Sequence, residues 1–352
     1  MGGGGTSIRA ARSLIFDPTG GATRMSENDR AEDAVRIANS ATYWPIAPMD
    51  VVLAAPIAVR LLFGASPLGA AIQGAALAAY LGSAAQDWYA RIGVRKIDFR
   101  REFGADVHNM EAMPSDVREA EVHLLVERVN DEFTPRRIPR RELAVEVDRH
   151  LTGYIASVTG QRVETSTEVR DFALARLVFP FALGACDLLS SDVAIFRDVG
   201  VFEPHVIAHE FSHRKGYWRE LEAQALAYLA LTASGEDVLV QSALCERLHR
   251  DLRALVGDDR AALRRRVTES RLRPELRGQL LELAPEAQAS SMDRQLEVLM
   301  RRLYDERMRL TGQNGLSDYD VGFTNFLYTF EVTPGTRQSP PPAGALRTRR
   351  PG

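Results

Sequence analysis

The sequence predicts a mainly α-helical protein with a small strand component, and three observations carry the prediction. Residues 209–213 read His209-Glu210-Phe211-Ser212-His213 inside an apolar helical pattern, and a second such pattern, Glu220–Leu231, follows Gly216. Residues 117–158 and 235–310 repeat apolar side chains at helical spacing with charged outer faces. Residues 51–85 are rich in Ala and Gly, and no Asp, Glu, Lys or Arg occurs from Leu61 to Gln86.

A chain of 352 residues is long enough for a large core in one or two domains. The net charge of −3 gives no global basicity that would argue for nucleic acid as a partner. The two cysteines, Cys186 and Cys245, are far apart and have no metal-binding spacing. They read as free core thiols.

Residues 1–42 are polar, with Gly2–Gly5 and scattered Arg, and are expected to be disordered. No apolar stretch follows the initiating Met as a secretory signal would require. Residues 43–101 form the Ala/Gly-rich helical segment. Its charge-free part meets the roughly 20-residue length of a membrane span, although Ala and Gly make the transfer energy weak. It reads as a two-helix membrane hairpin turning at Gly64-Ala65-Ser66-Pro67, as a single span near 67–85, or as a buried helical pair in a soluble protein. Trp44, Trp88 and Tyr89 flank it like interfacial aromatics. Arg91, Arg95, Lys96, Arg100 and Arg101 follow, which by the positive-inside rule would place the remainder in the cytoplasm. The expectation is membrane association with a cytoplasmic catalytic part; the alternative is a soluble cytoplasmic protein.

Residues 117–133 and 142–158 are amphipathic helices, joined by the exposed, Arg- and Pro-rich 134–142. Residues 165–200 are mostly apolar without a clear period. Residues 235–310 read as a helical cap, in which Glu and Asp interleave with Arg. Residues 333–352, with three consecutive prolines, read as a flexible tail.

The chemistry lies in the pentapeptide. Residues four apart share a helix face, so His209 and His213 can aim their imidazoles at one point. Two neutral imidazoles at that spacing are two of the three protein ligands of a catalytic Zn²⁺. Glu210, beside the first, can take a proton from an attacking water. Pro204 suits the helix start, and Gly216 its end just past the cations Arg214 and Lys215. The third ligand is expected from the second helix, at Glu220 or Glu222. Glu220 shares a face with Gln224, which could then orient a ligand imidazole, whereas Glu222 faces Leu226. His205, one turn before His209, is read as a supporting residue. It is also the one that could close a purely structural site with a fourth ligand.

The run HEFSHRKGYWRELEAQALAYLAL resembles a family of bacterial predicted zinc peptidases catalogued as a domain of unknown function. There H-E-x-x-H is followed by a Gly-aromatic pair, an Arg-Glu, and an E-A-Asn segment leading into an Ala-Tyr-Leu helix. The chain is similar, more distantly, to zincins with a Glu third ligand. The resemblance implies a zincin-like catalytic domain over 102–332, with His209, His213 and Glu220 as zinc ligands and Glu210 as general base. Gln224 stands where those families usually carry Asn or Asp. Asn314-Gly315-Leu316-Ser317-Asp318-Tyr319 is similar to the family's C-terminal Asn-Gly and Ser-Tyr elements. By analogy with zincins, Tyr319 would donate to the oxyanion and Val193–Phe196 would be the substrate-binding edge strand. The implied activity is hydrolysis of peptide bonds in a peptide or protein substrate. The alternatives are a zinc amidohydrolase on a non-peptide substrate, or a non-catalytic membrane-associated protein with a structural zinc.

Overall fold

The computed structural model describes residues 33–44, 46–64, 66–170, 182–187, 189–283 and 291–333. The disorder expected for most of the N-terminal segment and for the C-terminal tail lies outside these residues, as does the apolar stretch 171–181.

The protein is mainly helical with a small sheet component. In chain order come β1 (Ala34–Arg36), α1 (Pro48–Phe63), α2 (Pro67–Ile92), α3 (Phe99–Phe103), α4 (Ser115–Asp131) and α5 (Arg140–Thr159). Then follow β2 (Arg162–Glu164), β3 (Gly184–Cys186), β4 (Val193–Ile195), α6 (Glu203–Arg214), α7 (Glu220–Ser234) and α8 (Asp237–Val256). The chain closes with α9 (Arg260–Glu269), α10 (Pro274–Leu283), α11 (Ser291–Leu310) and α12 (Val321–Val332).

The centre is α7. From Leu221 to Leu231 every residue except Glu222 is buried, as expected for a helix that is apolar all round. Around it pack α5, α6 and α8. The expected cap over 235–310 is therefore partly core. Leu239, Leu244, Leu248 and Leu252 of α8 are buried between α7 and α4, because their spacing makes one continuous apolar stripe. The assigned boundaries also shift. Ala34–Arg36 pairs in parallel with Arg162–Glu164, so the end of the polar N-terminal segment belongs to the fold. Val94, Ile97 and Phe99 lie in the main core.

The substrate-edge expectation for Val193–Phe196 is overturned. β4 is fully buried and paired on both sides: antiparallel with β3, and through a bridge to Arg170. Three consecutive buried residues suit a central strand, not an exposed one.

Helices α1 and α2 form a hairpin. Gly64, at φ +61, ends α1, and the Ser66 side chain caps α2 by accepting from the Gly69 amide. Gly69 permits the close approach, since a Cβ there would meet Val59. Of α2 from Pro67 to Ala79 only Gly69 is buried, and Leu61, Leu62 and Leu68 are 60% or more exposed. Beyond this, Tyr80, Ala84, Asp87 and Arg91 make one buried stripe against the domain. Tyr80 Oη donates to Asp187 Oδ2 (2.8 Å), Asp87 accepts from the Asn39 amide (3.0 Å), and Arg91 donates to Ser191 Oγ. Among the described residues, α2 alone is long and apolar enough to cross a membrane.

Candidate metal centre

Helix α6 starts at Glu203 with Pro204 in its first turn, and is buried at every residue but Val206. It stops before Gly216, whose φ of +95 turns the chain into α7. Burial on all sides forces the polar groups of α6 to find partners inside the protein. Arg214, fully buried, donates to the carbonyls of Ser191, Ser166 and Glu168. Lys215 donates to Thr152, the Val163 carbonyl and Thr165 and pairs with Asp148. The helix end is thus pinned to three separate segments, which fixes the rotation of the histidine face.

On that face His209, His213 and Glu220 converge. His209 Nε2 lies 3.1 Å from Glu220 Oε2, His213 Nε2 lies 3.2 Å from the same oxygen, and the two nitrogens are 3.2 Å apart. Two imidazole nitrogens, one carboxylate oxygen and this near-equilateral spacing suit three corners of a tetrahedron. Bonds of about 2.0–2.1 Å to a zinc require ligand atoms roughly 3.3 Å apart. The tautomer agrees: His213 Nδ1 lies 2.7 Å from the Tyr217 carbonyl, which can only accept, so its proton sits there and Nε2 is free to ligate. Where no cation intervenes, the carboxylate holds that ring protonated. Burial alone would lower the His213 pKa, but the adjacent Glu220 charge raises it to about 9. Reciprocally, burial opposes charge on Glu220, but the two imidazoles hold its pKa well below the usual range.

Glu210 is buried, and burial raises its pKa, with the nearby imidazoles and a hydrogen bond from the Cys186 amide opposing. Strand β3 thus supports the expected base. Tyr319 also reaches the centre: its Oη donates to Glu220 Oε2 (2.6 Å), and its ring lies 5.9 Å from that of His209. Arg250 sits 5.7 Å from the Tyr319 ring centroid and pairs with Asp320 and Glu246.

Of three residues considered beside the trio, only Gln224 departs from expectation. Glu222 pairs with Arg219 and stands outside the trio. Gln224 donates to Glu246 Oε1 (2.7 Å) on α8, not to a ligand imidazole. His205 is buried beside Phe323 with its amide bonded to Ser242, and is not one of the converging residues. Sequence reasoning missed Tyr304, whose hydroxyl donates to Glu220 Oε1 at 2.5 Å from 84 residues away. It also missed Trp218, which stacks on His213 (centroids 6.0 Å apart, planes at 9°). Trp88, expected as an interfacial aromatic, stacks on Trp218 at 6.2 Å and 12°. Only the aromatic identity of 217–218, beside the Gly turn, hinted at the second of these.

A family model matches here. It is described as a protein of unknown function (DUF3810) and covers residues 200–328, from the turn before α6 into α12. The chain is similar to that family over this stretch. No curated protein and no solved structure matches the chain.

Proposed function

We propose that the protein is a zinc-dependent metallopeptidase whose metal is held by His209, His213 and Glu220. The observation that carries this reading is the 3.1–3.2 Å triangle of two Nε2 atoms and one carboxylate oxygen, with a buried carboxylate, Glu210, on the same helix. Zinc, when bound, supplies Lewis-acid polarisation of the scissile carbonyl and of water. Glu210 takes a proton from water as its oxygen adds to the carbonyl carbon, and hands the proton to the departing amine as the C–N bond breaks. Its burial-raised proton affinity suits it to both halves of that transfer. Tyr319 offers a phenolic donor beside the ligand oxygen, where the oxyanion develops. His205, the residue needed to close a structural site, lies outside the trio, which favours an open coordination position.

The α1–α2 hairpin is read as a membrane anchor. Its exposed apolar residues surround both helices instead of forming one stripe, which suits lipid better than a protein groove. Arg100 and Arg101 at the surface favour a cytoplasmic catalytic part, whereas Arg91 is spent inside the protein.

The test is metal content and cleavage of a denatured protein by wild type and Glu210→Gln. One zinc in each is expected, with cleavage reduced about 10²- to 10⁴-fold in the variant. No zinc in either protein would overturn the reading.

A further inference from the structure

Two phenols from different elements meet on one carboxylate. Tyr319 Oη donates to Glu220 Oε2 at 2.6 Å, and Tyr304 Oη donates to Glu220 Oε1 at 2.5 Å. The hydroxyl oxygens are 3.4 Å apart. The two carboxylate oxygens are therefore unlike. Oε2 faces both ligand nitrogens, whereas the partner of Oε1 is Tyr304.

We propose that Tyr304 is a positioning residue of the metal centre, holding Glu220 to ligation through Oε2 alone. The inference rests on the metal reading above and deepens it. A carboxylate free to rotate about its last bond can bring both oxygens to a cation and fill the position that water needs. A donor on Oε1 opposes that rotation and partly neutralises the charge left on the outer oxygen.

The placement of Tyr304 is itself fixed. The next residue, Asp305, accepts from the Leu316 amide at 2.7 Å and so ties α11 to the turn that presents Tyr319. Gly315, at φ +86, has no room for a Cβ beside Asp305. One link thus sets both phenols over Glu220.

Cobalt substitution tests the assignment without substrate. Wild type loaded with Co²⁺ is expected to show the intense visible absorption of a four-coordinate ion. Tyr304→Phe should show the weaker absorption of a higher coordination number and bind zinc about 10- to 100-fold less tightly. Tyr319→Phe should keep the wild-type coordination number. An unchanged spectrum and zinc affinity in Tyr304→Phe would overturn the proposal. Infrared difference spectra of the zinc-loaded wild type need no variant. A wide splitting of the Glu carboxylate stretches marks one-oxygen ligation, and a narrow splitting overturns the assignment. Failure of the wild type to bind metal would sink the metallopeptidase reading together with this one. Metal binding that ignores Tyr304 would sink this one alone.

Discussion

Helix pairs α1–α2 and α6–α7 share a plan, each turning at a glycine with positive φ, Gly64 and Gly216. In α6–α7 nearly every residue is buried, polar and apolar alike. In the outer part of α1–α2 most of the large apolar side chains are exposed. Composition makes the difference. Helix α6 and its cap Lys215 carry Glu, Arg, His and Lys groups, most of which find partners inside the protein. The outer hairpin carries almost nothing that needs a partner, and much that water does not favour. One pair depends on the surrounding protein for its polar groups; the other, read as a proposed membrane anchor, would be covered by an apolar medium.

Removing a matched polar group from α6 is expected to have the largest effect. Arg214→Ala takes the donor from two buried carbonyls and one half-buried one, at about 1–3 kcal/mol for each left unsatisfied. The melting temperature should fall by roughly 10 °C, about 2–4 °C for each kcal/mol in a domain of this size. A fall of a degree or two in calorimetry would mean that the pinning of α6 is not what stabilises it.

The next effect is a pH dependence that α6–α7 has and the outer hairpin lacks. Glu220 raises the folded-state pKa of His213 to about 9, above its ordinary value of about 6.5. In the metal-free protein this contributes stability that is fully present below about pH 6.5 and lost as pH rises through about 9. Zinc requires the neutral ring, so its apparent affinity should rise with pH by about tenfold per unit below 9. Calorimetric titration in buffers of different ionisation enthalpy should count about one proton released near pH 7.5. Release of none would show that His213 does not ligate.

The hairpin should respond in the opposite sense. Leu62→Ser, at a side chain 76% exposed, should change thermal stability by no more than about 0.5 kcal/mol. Binding to phosphatidylglycerol-containing vesicles should weaken roughly tenfold or more, since burying a Leu is worth about 1.5–3 kcal/mol. Loss of stability with unchanged flotation would assign the hairpin to a protein contact instead.

The two turn glycines give the smallest contrast. Gly64→Ala, in open space, should cost about 1–2 kcal/mol for the backbone alone. Gly216→Ala carries the same backbone cost and also drives a methyl group into Lys96 Nζ. Equal losses for both variants in chemical denaturation would show that Lys96 yields freely.

What could be read from the sequence was local. An i, i+4 histidine pair, a Pro at the helix start, a Gly at its end and an apolar run all act within one or two helical turns, where chain geometry alone fixes neighbours. His209 and His213 sharing a face, the stop at Gly216 and the turn near Gly64 were therefore determined before any packing. The choice of Glu220 came from the same local argument, but for a reason the structure does not share, because Gln224 turns to Glu246 on α8. Tertiary structure decided the rest. It brought Tyr304 to Glu220 across 84 residues, set Trp218 against His213 and Trp88 against Trp218, and made Val193–Ile195 a central strand. None of these leaves a periodic trace in the sequence. Each depends on how whole elements dock, and docking follows the sum of many buried surfaces, not the identity of any one residue.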